Sequence, residues 1–162
     1  MSDPELYVVR ADCELGGQID TCALMESSGF THEDMESHMP ALYLVEKSIP
    51  DAPALGYVAC LDIKNGISHM DPAANGLQAM LGRLFVLPAY RRQGHATRLV
   101  TELTDTLFTT RRVAACVANC YPPGAAIAEK AGYEALPVAR QRQRVAYRMT
   151  RDRWWQVQAL ES

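Results

Sequence analysis

The sequence predicts an α/β fold of the α+β kind, in which a central mixed sheet is flanked by helices. Three observations carry this prediction. Strand-type and helix-type segments follow one another as β-α-α-β-β-β-α-β-α-β-β. The run VAACVA (113–118) is almost continuously apolar, as expected of a strand buried on both faces. The 162 residues are 48% apolar and show no repeat, low-complexity tract or linker, which suits a single domain over 1–162 with a sizeable core.

Each element has its own warrant. LYVVR (6–10) reads as a short strand. ELGGQIDTCALMESSG (14–29) places Leu15, Ile19, Cys22, Ala23 and Met25 close to helical spacing and ends at Gly29. THEDMESHM (31–39) opens with Thr31 as an N-cap and has acids in its first turn, so a second short helix is expected. ALYLVEK (41–47) and LGYVACLDI (55–63) are strands joined by the turn SIPDAP. Residues 64–76 carry the turn signals Asn65-Gly66, Asp71-Pro72 and Asn75-Gly76 and read as a loop. LQAMLGRLFVL (77–87) is a long strand interrupted by Gly82, which marks a bulge where backbone groups become available to a ligand.

The next helix carries Leu99, Val100, Leu103, Leu107 and Phe108 on one face, with Arg98, Glu102 and Asp105 outside it. PPGAAIAEKAG (122–132) has prolines suited to a helix start and Gly132 suited to its end. RVAYRM (144–149) alternates as a strand, preceded by a weaker one near YEALPV.

Composition excludes several classes. No apolar run approaches the roughly 20 residues that span a bilayer. The N-terminus MSDPELYVVR lacks the basic-then-apolar pattern of a signal peptide, so a soluble, cytoplasmic protein is expected. The five cysteines (Cys13, Cys22, Cys60, Cys116, Cys120) are odd in number and form no CxxC pair. Reduced, mostly buried thiols are expected, and no metal site. Charge is split along the chain. Residues 1–80 carry thirteen acids against Arg10, Lys47 and Lys64, and residues 81–162 carry thirteen bases against six acids, for a net charge of −3. Chance surface composition explains this as well as an anion-binding half does.

The stretch RRQGHATRL, from Arg91, stands between the apolar strand and the helix after it. A strand, a glycine-containing loop and a helix N-terminus make an anion site, because first-turn N–H groups point at the ligand and the helix dipole adds positive potential. Gly94 permits close backbone approach, and Ala96 keeps the first turn from blocking a phosphate. Neither GxxxxGK[ST] nor GxGxxG is present. By themselves, Arg91 and Arg92 are two solvated loop arginines; their setting favours a phosphate role.

The pattern Arg-x-x-Gly-x-Ala (Arg91-Arg92-Gln93-Gly94-His95-Ala96), after Leu84-Phe85-Val86-Leu87-Pro88, resembles motif A of the GCN5-related N-acetyltransferases (GNAT). Asn119, before a short helix ending Glu129-Lys130-Ala131-Gly132-Tyr133, resembles that family's second signature. The resemblance implies acetyl-CoA as co-substrate and a primary amine of a small molecule or peptide as acceptor. It further implies that backbone amides from Gln93 through Thr97 hold the pyrophosphate, with the Thr97 hydroxyl as a further donor. His95 belongs to this loop rather than to catalysis. Leu84, Phe85 and Val86 would line the pantetheine arm, Leu84 and Val86 through their backbone, with Asn119 beside it.

The same resemblance leaves the acid and base open. The family's usual base is a glutamate near Gly82-Arg83, where this chain has no acid. Its usual acid is a tyrosine four residues before the helix-ending glycine, and that position is Ala128. Tyr121 is the substitute acid, or a packing tyrosine at a helix start. Cys120 beside it reads as an inert buried thiol, having no adjacent basic partner. For the base, the loop offers His69 and Asp71, and the second helix offers Glu33, Asp34, Glu36 and His38, which equally suit a solvated acidic face. Attack assisted only by water needs no base. A non-catalytic acyl-CoA-binding or sensing domain is the alternative function.

On the acetyltransferase reading, the basic half serves the phosphates and the acidic half attracts a cationic acceptor. Six arginines between Arg140 and Arg153, with Trp154 and Trp155, raise a nucleic-acid surface. Arg142, Arg144 and Arg148 share one alternating face, so an exposed strand edge accounts for them better. No membrane partner is expected, and a homodimer stays open.

Overall fold

The computed structural model of the protein describes residues 5–65, 76–136 and 144–161. In chain order the strands are β1 (Tyr7–Arg10), β2 (Ala41–Val45), β3 (Ala54–Asn65), β4 (Leu77–Val86), β5 (Ala115–Cys120), β6 (Glu134–Ala135) and β7 (Val145–Thr150). The helices are α1 (Cys22–Ser28), α2 (His32–Glu36), α3 (His95–Thr110), α4 (Pro122–Lys130) and α5 (Arg151–Glu161). Among the described residues the strands form one seven-stranded sheet ordered β1-β2-β3-β4-β5-β7-β6. Every neighbouring pair is antiparallel except β4 and β5, which are parallel.

Alternation along the strands builds a core on each face. On β2, Leu42 and Leu44 point into a cluster with Leu99, Leu103, Leu107 and Phe108 of α3. Tyr43 and Val45 point the other way, to Leu24 of α1 and Met35 of α2. Strand β5 is buried on both sides as its composition predicts: Cys116 joins the α3 cluster, while Val117 packs with Leu136 and Ala146.

Four local readings change. The segment 14–29 is not one helix: Gly16–Gln18 form a 3-10 turn, Ile19 is extended, and α1 begins only at Cys22. Gly16 is pressed against the end of β1, where an added Cβ would lie 2.0 Å from the Arg10 carbonyl oxygen, and Asp20 bridges to Pro53. These tertiary contacts override the helical spacing. Second, the end of the arginine-rich stretch, from Arg151, forms helix α5, with Trp154 only 1% exposed and packed against Phe108 of α3. Third, β7 is not an edge: it lies between β5 and the two-residue β6. Fourth, the break in β4 falls beside Gly82 rather than on it. Tyr57 faces Phe85 while Ala59 faces Gly82, so the extra residue lies in Arg83-Leu84. Arg83 has φ 56°, uncommon for a residue with a side chain. Gly82 itself makes room for Leu61, whose Cδ1 would stand 2.5 Å from an added Cβ.

The bulge changes how β4 pairs beyond it. Strands β4 and β5 pair from Gln78 with Ala115 to Leu81 with Ala118, and their pairing stops there. Beyond that point β4 stays with β3 through Val86, and β5 stays with β7 through Cys120. A bulge sharpens local twist, so two parallel strands diverge at the centre of the sheet.

Candidate functional site

The divergence opens a cavity of about 820 Å³. Gly82 to Val86 form one wall, Ala118 to Tyr121 the other, and residues of α4 and the loop before α3 complete it. Leu87 N–H bonds the Leu55 carbonyl, so the adjacent facing pair Val86–Gly56 is of the non-bonded kind. The Val86 peptide groups are therefore turned away from β3, into the split. Arg91 Nε donates to the Val86 carbonyl oxygen at 2.7 Å, and its guanidinium lies 5.0 Å over the Phe85 ring. Arg91 thus braces the end of β4 against the loop, and the Val86 N–H is left facing the cavity.

The loop is shaped by backbone conformation. Arg92 and Gly94 take positive φ (65° and 82°) on either side of Gln93, an alternation that turns successive N–H groups to one side. Gly94 is the N-cap of α3 and supplies no side-chain cap. The helical ladder starts with Arg98 N–H to the Gly94 carbonyl at 3.0 Å, so the amides of His95, Ala96 and Thr97 precede it. These residues line the cavity, as do Arg91, Arg92 and Gly94. Gln93 does not: its side-chain oxygen lies 3.2 Å from His95 Nε2, on the exposed outside of the loop. A Cβ added at Gly94 would meet nothing within 4 Å. The arrangement gathers open first-turn amides and two arginine side chains at one end of the cavity, the kind of setting that suits an anion.

Asn119, Cys120 and Tyr121 line the opposite wall. Tyr121 is half exposed at 49% and caps α4, with the Arg144 guanidinium 4.5 Å over its ring. Burial pushes the Cys120 thiol up to about 11, which keeps it a neutral thiol at ordinary pH. Ala128 is buried in the same wall. Tyr133 is also there, but its hydroxyl is 2.6 Å from Thr104 Oγ1 and burial pushes it well above the ordinary range. It is a structural phenol.

Among the described residues no aspartate or glutamate lines the cavity. Glu33 is exposed on α2 and is not among the residues that line the cavity. Its neighbour Asp34 reaches the site indirectly, through Arg83 Nη2 at 3.4 Å. His69 and Asp71 lie outside the described residues. Arg83, Asp34 and Phe30 form a group that sequence reasoning does not assemble, since the ion pair spans 49 residues of chain. The alternating pattern assigns Arg144 to an edge face, and its contact with Tyr121 has no local signal.

Two of the C-terminal arginines have structural duties. Arg151 donates to the carbonyls of Arg112 and Val113 at 2.6 and 2.7 Å. Arg153 donates to the Gly132 carbonyl at 2.6 Å and pairs with Glu134. With Trp154 buried, the expected stacking surface is reduced to Trp155, which is 51% exposed. Among the described residues no group of His, Cys, Asp and Glu could hold a metal ion, and no helix is long and apolar enough to cross a membrane.

Residues 17–133 match the sequence model of the Acetyltransferase (GNAT) family. No curated protein matches the chain in sequence. Solved structures do. An acetyltransferase from Agrobacterium tumefaciens is 21% identical, with a TM-score of 0.50 over 74% of this chain and 64% of its own. AtaTR bound with acetyl-CoA is 14% identical, with a TM-score of 0.63 over 97% of this chain and 98% of that one. The spermidine/spermine N-acetyltransferase SpeG from Vibrio cholerae is 12% identical, with a TM-score of 0.61 over 94% and 99%. At these identities the likeness establishes the fold.

Proposed function

Because this chain belongs to the acetyltransferase (GNAT) family, we propose that it is an acetyl-CoA-dependent N-acetyltransferase acting on a primary amine of a small molecule or peptide. The observation that carries this reading is the split beyond Leu81 and Ala118, with the amide cradle of residues 91–97 at its mouth. Acetyl-CoA supplies the acetyl thioester. The first-turn amides of α3 and the arginines beside them would hold its pyrophosphate, and the exposed backbone of Leu84 to Val86 would bond the pantetheine amides as another strand would. Val86 N–H is the donor placed to stabilise negative charge on the acetyl oxygen. In the transfer a nitrogen–carbon bond forms, the carbon–sulfur bond breaks, the amine gives up a proton and the departing sulfur gains one.

Tyr121 is the group proposed to deliver the sulfur's proton. It stands at the lip of the split with its ring fixed by Arg144, one residue beyond Cys120. Tyr121→Phe should lower kcat about 100-fold, the low end of what a positioned general acid contributes, with little change in KM. An unchanged kcat would assign that proton to water.

The lack of a carboxylate in the described cavity wall, and Ala128 in place of the family's tyrosine, favour a second reading as a non-catalytic acyl-CoA sensor. Two measurements separate them: the melting temperature with and without acetyl-CoA, and free-thiol release across a broad amine panel. A melting-temperature rise with thiol release supports the enzyme. A rise with silence across the panel supports the sensor, and no rise with any acyl-CoA removes both.

A further inference from the structure

We propose that Arg83 selects the acceptor, and that the acceptor is an amino acid bound through its carboxylate. This rests on the acetyltransferase reading above, and it reverses the cationic acceptor that the acidic N-terminal half suggests.

Position comes first. Arg83 stands just past the last β4 residues paired to β5 and lines the cavity at its inner end, away from the loop at 91–97. Its side chain extends to Asp34 of α2 and Phe30. Phe30 packs with the α1 and α2 cluster, on the face of the sheet opposite α3. A donor seated in the cradle comes from the α3 end, so an acceptor must approach from the α1 and α2 side. Among the described residues that line the cavity, Arg83 is the charged one that contacts α2.

That guanidinium is held ready rather than used up. It lies 5.7 Å over the Phe30 ring, and its contact with Asp34 is long at 3.4 Å, with the Arg83 side chain 38% exposed. Asp34 is committed elsewhere: its Oδ2 accepts the Thr31 N–H at 3.0 Å in the cap of α2, which holds its carboxyl below the usual range. The acid is therefore engaged by the cap and by Arg83 Nη2, and among the described residues the remaining N–H donors of the fork have no hydrogen-bond partner. Arg83 also keeps φ 56° in the bulge, a conformation that disfavours a side chain. A planar fork of fixed orientation matches a carboxylate through two parallel hydrogen bonds, whereas it repels an ammonium group. An amino acid offers both the amine for transfer and the carboxylate for the fork.

The test is thiol release at fixed acetyl-CoA from L-amino acids, their carboxamides and spermidine, in wild type, Arg83→Lys and Arg83→Gly. Glycine relaxes at φ 56°, so the Arg83→Gly protein keeps its fold while losing the guanidinium. For the best amino acid, wild-type kcat/KM should exceed that of the carboxamide by about 10- to 100-fold, the worth of a charged hydrogen-bonded contact. Arg83→Gly should erase most of this ratio, and Arg83→Lys should keep part of it. A wild-type ratio near one, or a preference for spermidine, overturns the inference and leaves N-acetyl transfer standing. If no amine releases thiol, the readout is melting temperature in the presence of CoA. A rise with the amino acid over its carboxamide, lost in Arg83→Gly, supports the carboxylate site; no such rise overturns it. Failure of acetyl-CoA itself to raise the melting temperature instead removes the parent reading, and this one with it.

Discussion

Gly94→Glu should abolish the rise in melting temperature that acetyl-CoA gives the wild-type protein. Gly94 has φ 82° and caps α3 without a side chain, and the space beyond its Cα is open. A glutamate there would set a negative charge at the start of α3, close to where the pyrophosphate is proposed to bind. At about 5 Å and an effective dielectric near 20, each like-charge pair costs about 3 kcal/mol. That corresponds to a loss of about 100-fold or more in Kd. Gly94→Ala is the control. It carries the backbone strain of a left-handed alanine, about 1–2 kcal/mol, yet adds no charge, so its melting temperature should drop while the response to acetyl-CoA persists. Isothermal titration of acetyl-CoA into the three proteins measures the difference directly. Equal affinity in wild type and Gly94→Glu would remove the loop from the binding site.

Trp154→Ala should be the most damaging single change outside the cavity, at about 3–5 kcal/mol of stability. For a chain of this size that is a melting-temperature drop of roughly 6–20 °C. Trp154 is 1% exposed and its ring centroid is 6.1 Å from that of Phe108. Its helix also holds the end of α4. A Cβ at Gly132 would stand 3.2 Å from Val157, and Arg153 bonds the Gly132 carbonyl. Loosening α5 therefore reaches the wall that carries Ala128. The indole N–H is buried with no hydrogen-bond partner among the described residues, so Trp154→Phe, which removes that donor and keeps an aromatic ring, should cost far less. Trp155→Ala, at an exposed position, should lie within about 0.5 kcal/mol of wild type. Thermal melts of the three variants check the ranking; equal losses at Trp154 and Trp155 would contradict the buried helix.

The sequence by itself determined most of the strands, the helices α2, α3 and α4, and the place of the loop. Apolar period marked the strands, and Thr31 and Gly132 marked helix ends through their own backbone needs. RRQGHATRL marked an expected anion site because a glycine-containing loop before a helix leaves the first-turn N–H groups open. Tertiary structure decided the rest, because the rest depends on which surfaces meet. Helical spacing in residues 14–29 yielded to the packing of Gly16 on β1. Arg151 and Arg153, at the end of the arginine-rich tail, became clamps on the carbonyls of residues 112, 113 and 132. Gly82 announced a bulge, but only the register shows that β4 leaves β5 after Leu81, and that split opens the cavity. The ion pair of Arg83 with Asp34 joins residues 49 apart. Local patterns encode what a segment does to its own backbone; the charge that greets an acceptor is set by side chains from distant segments, and only the folded chain brings them together.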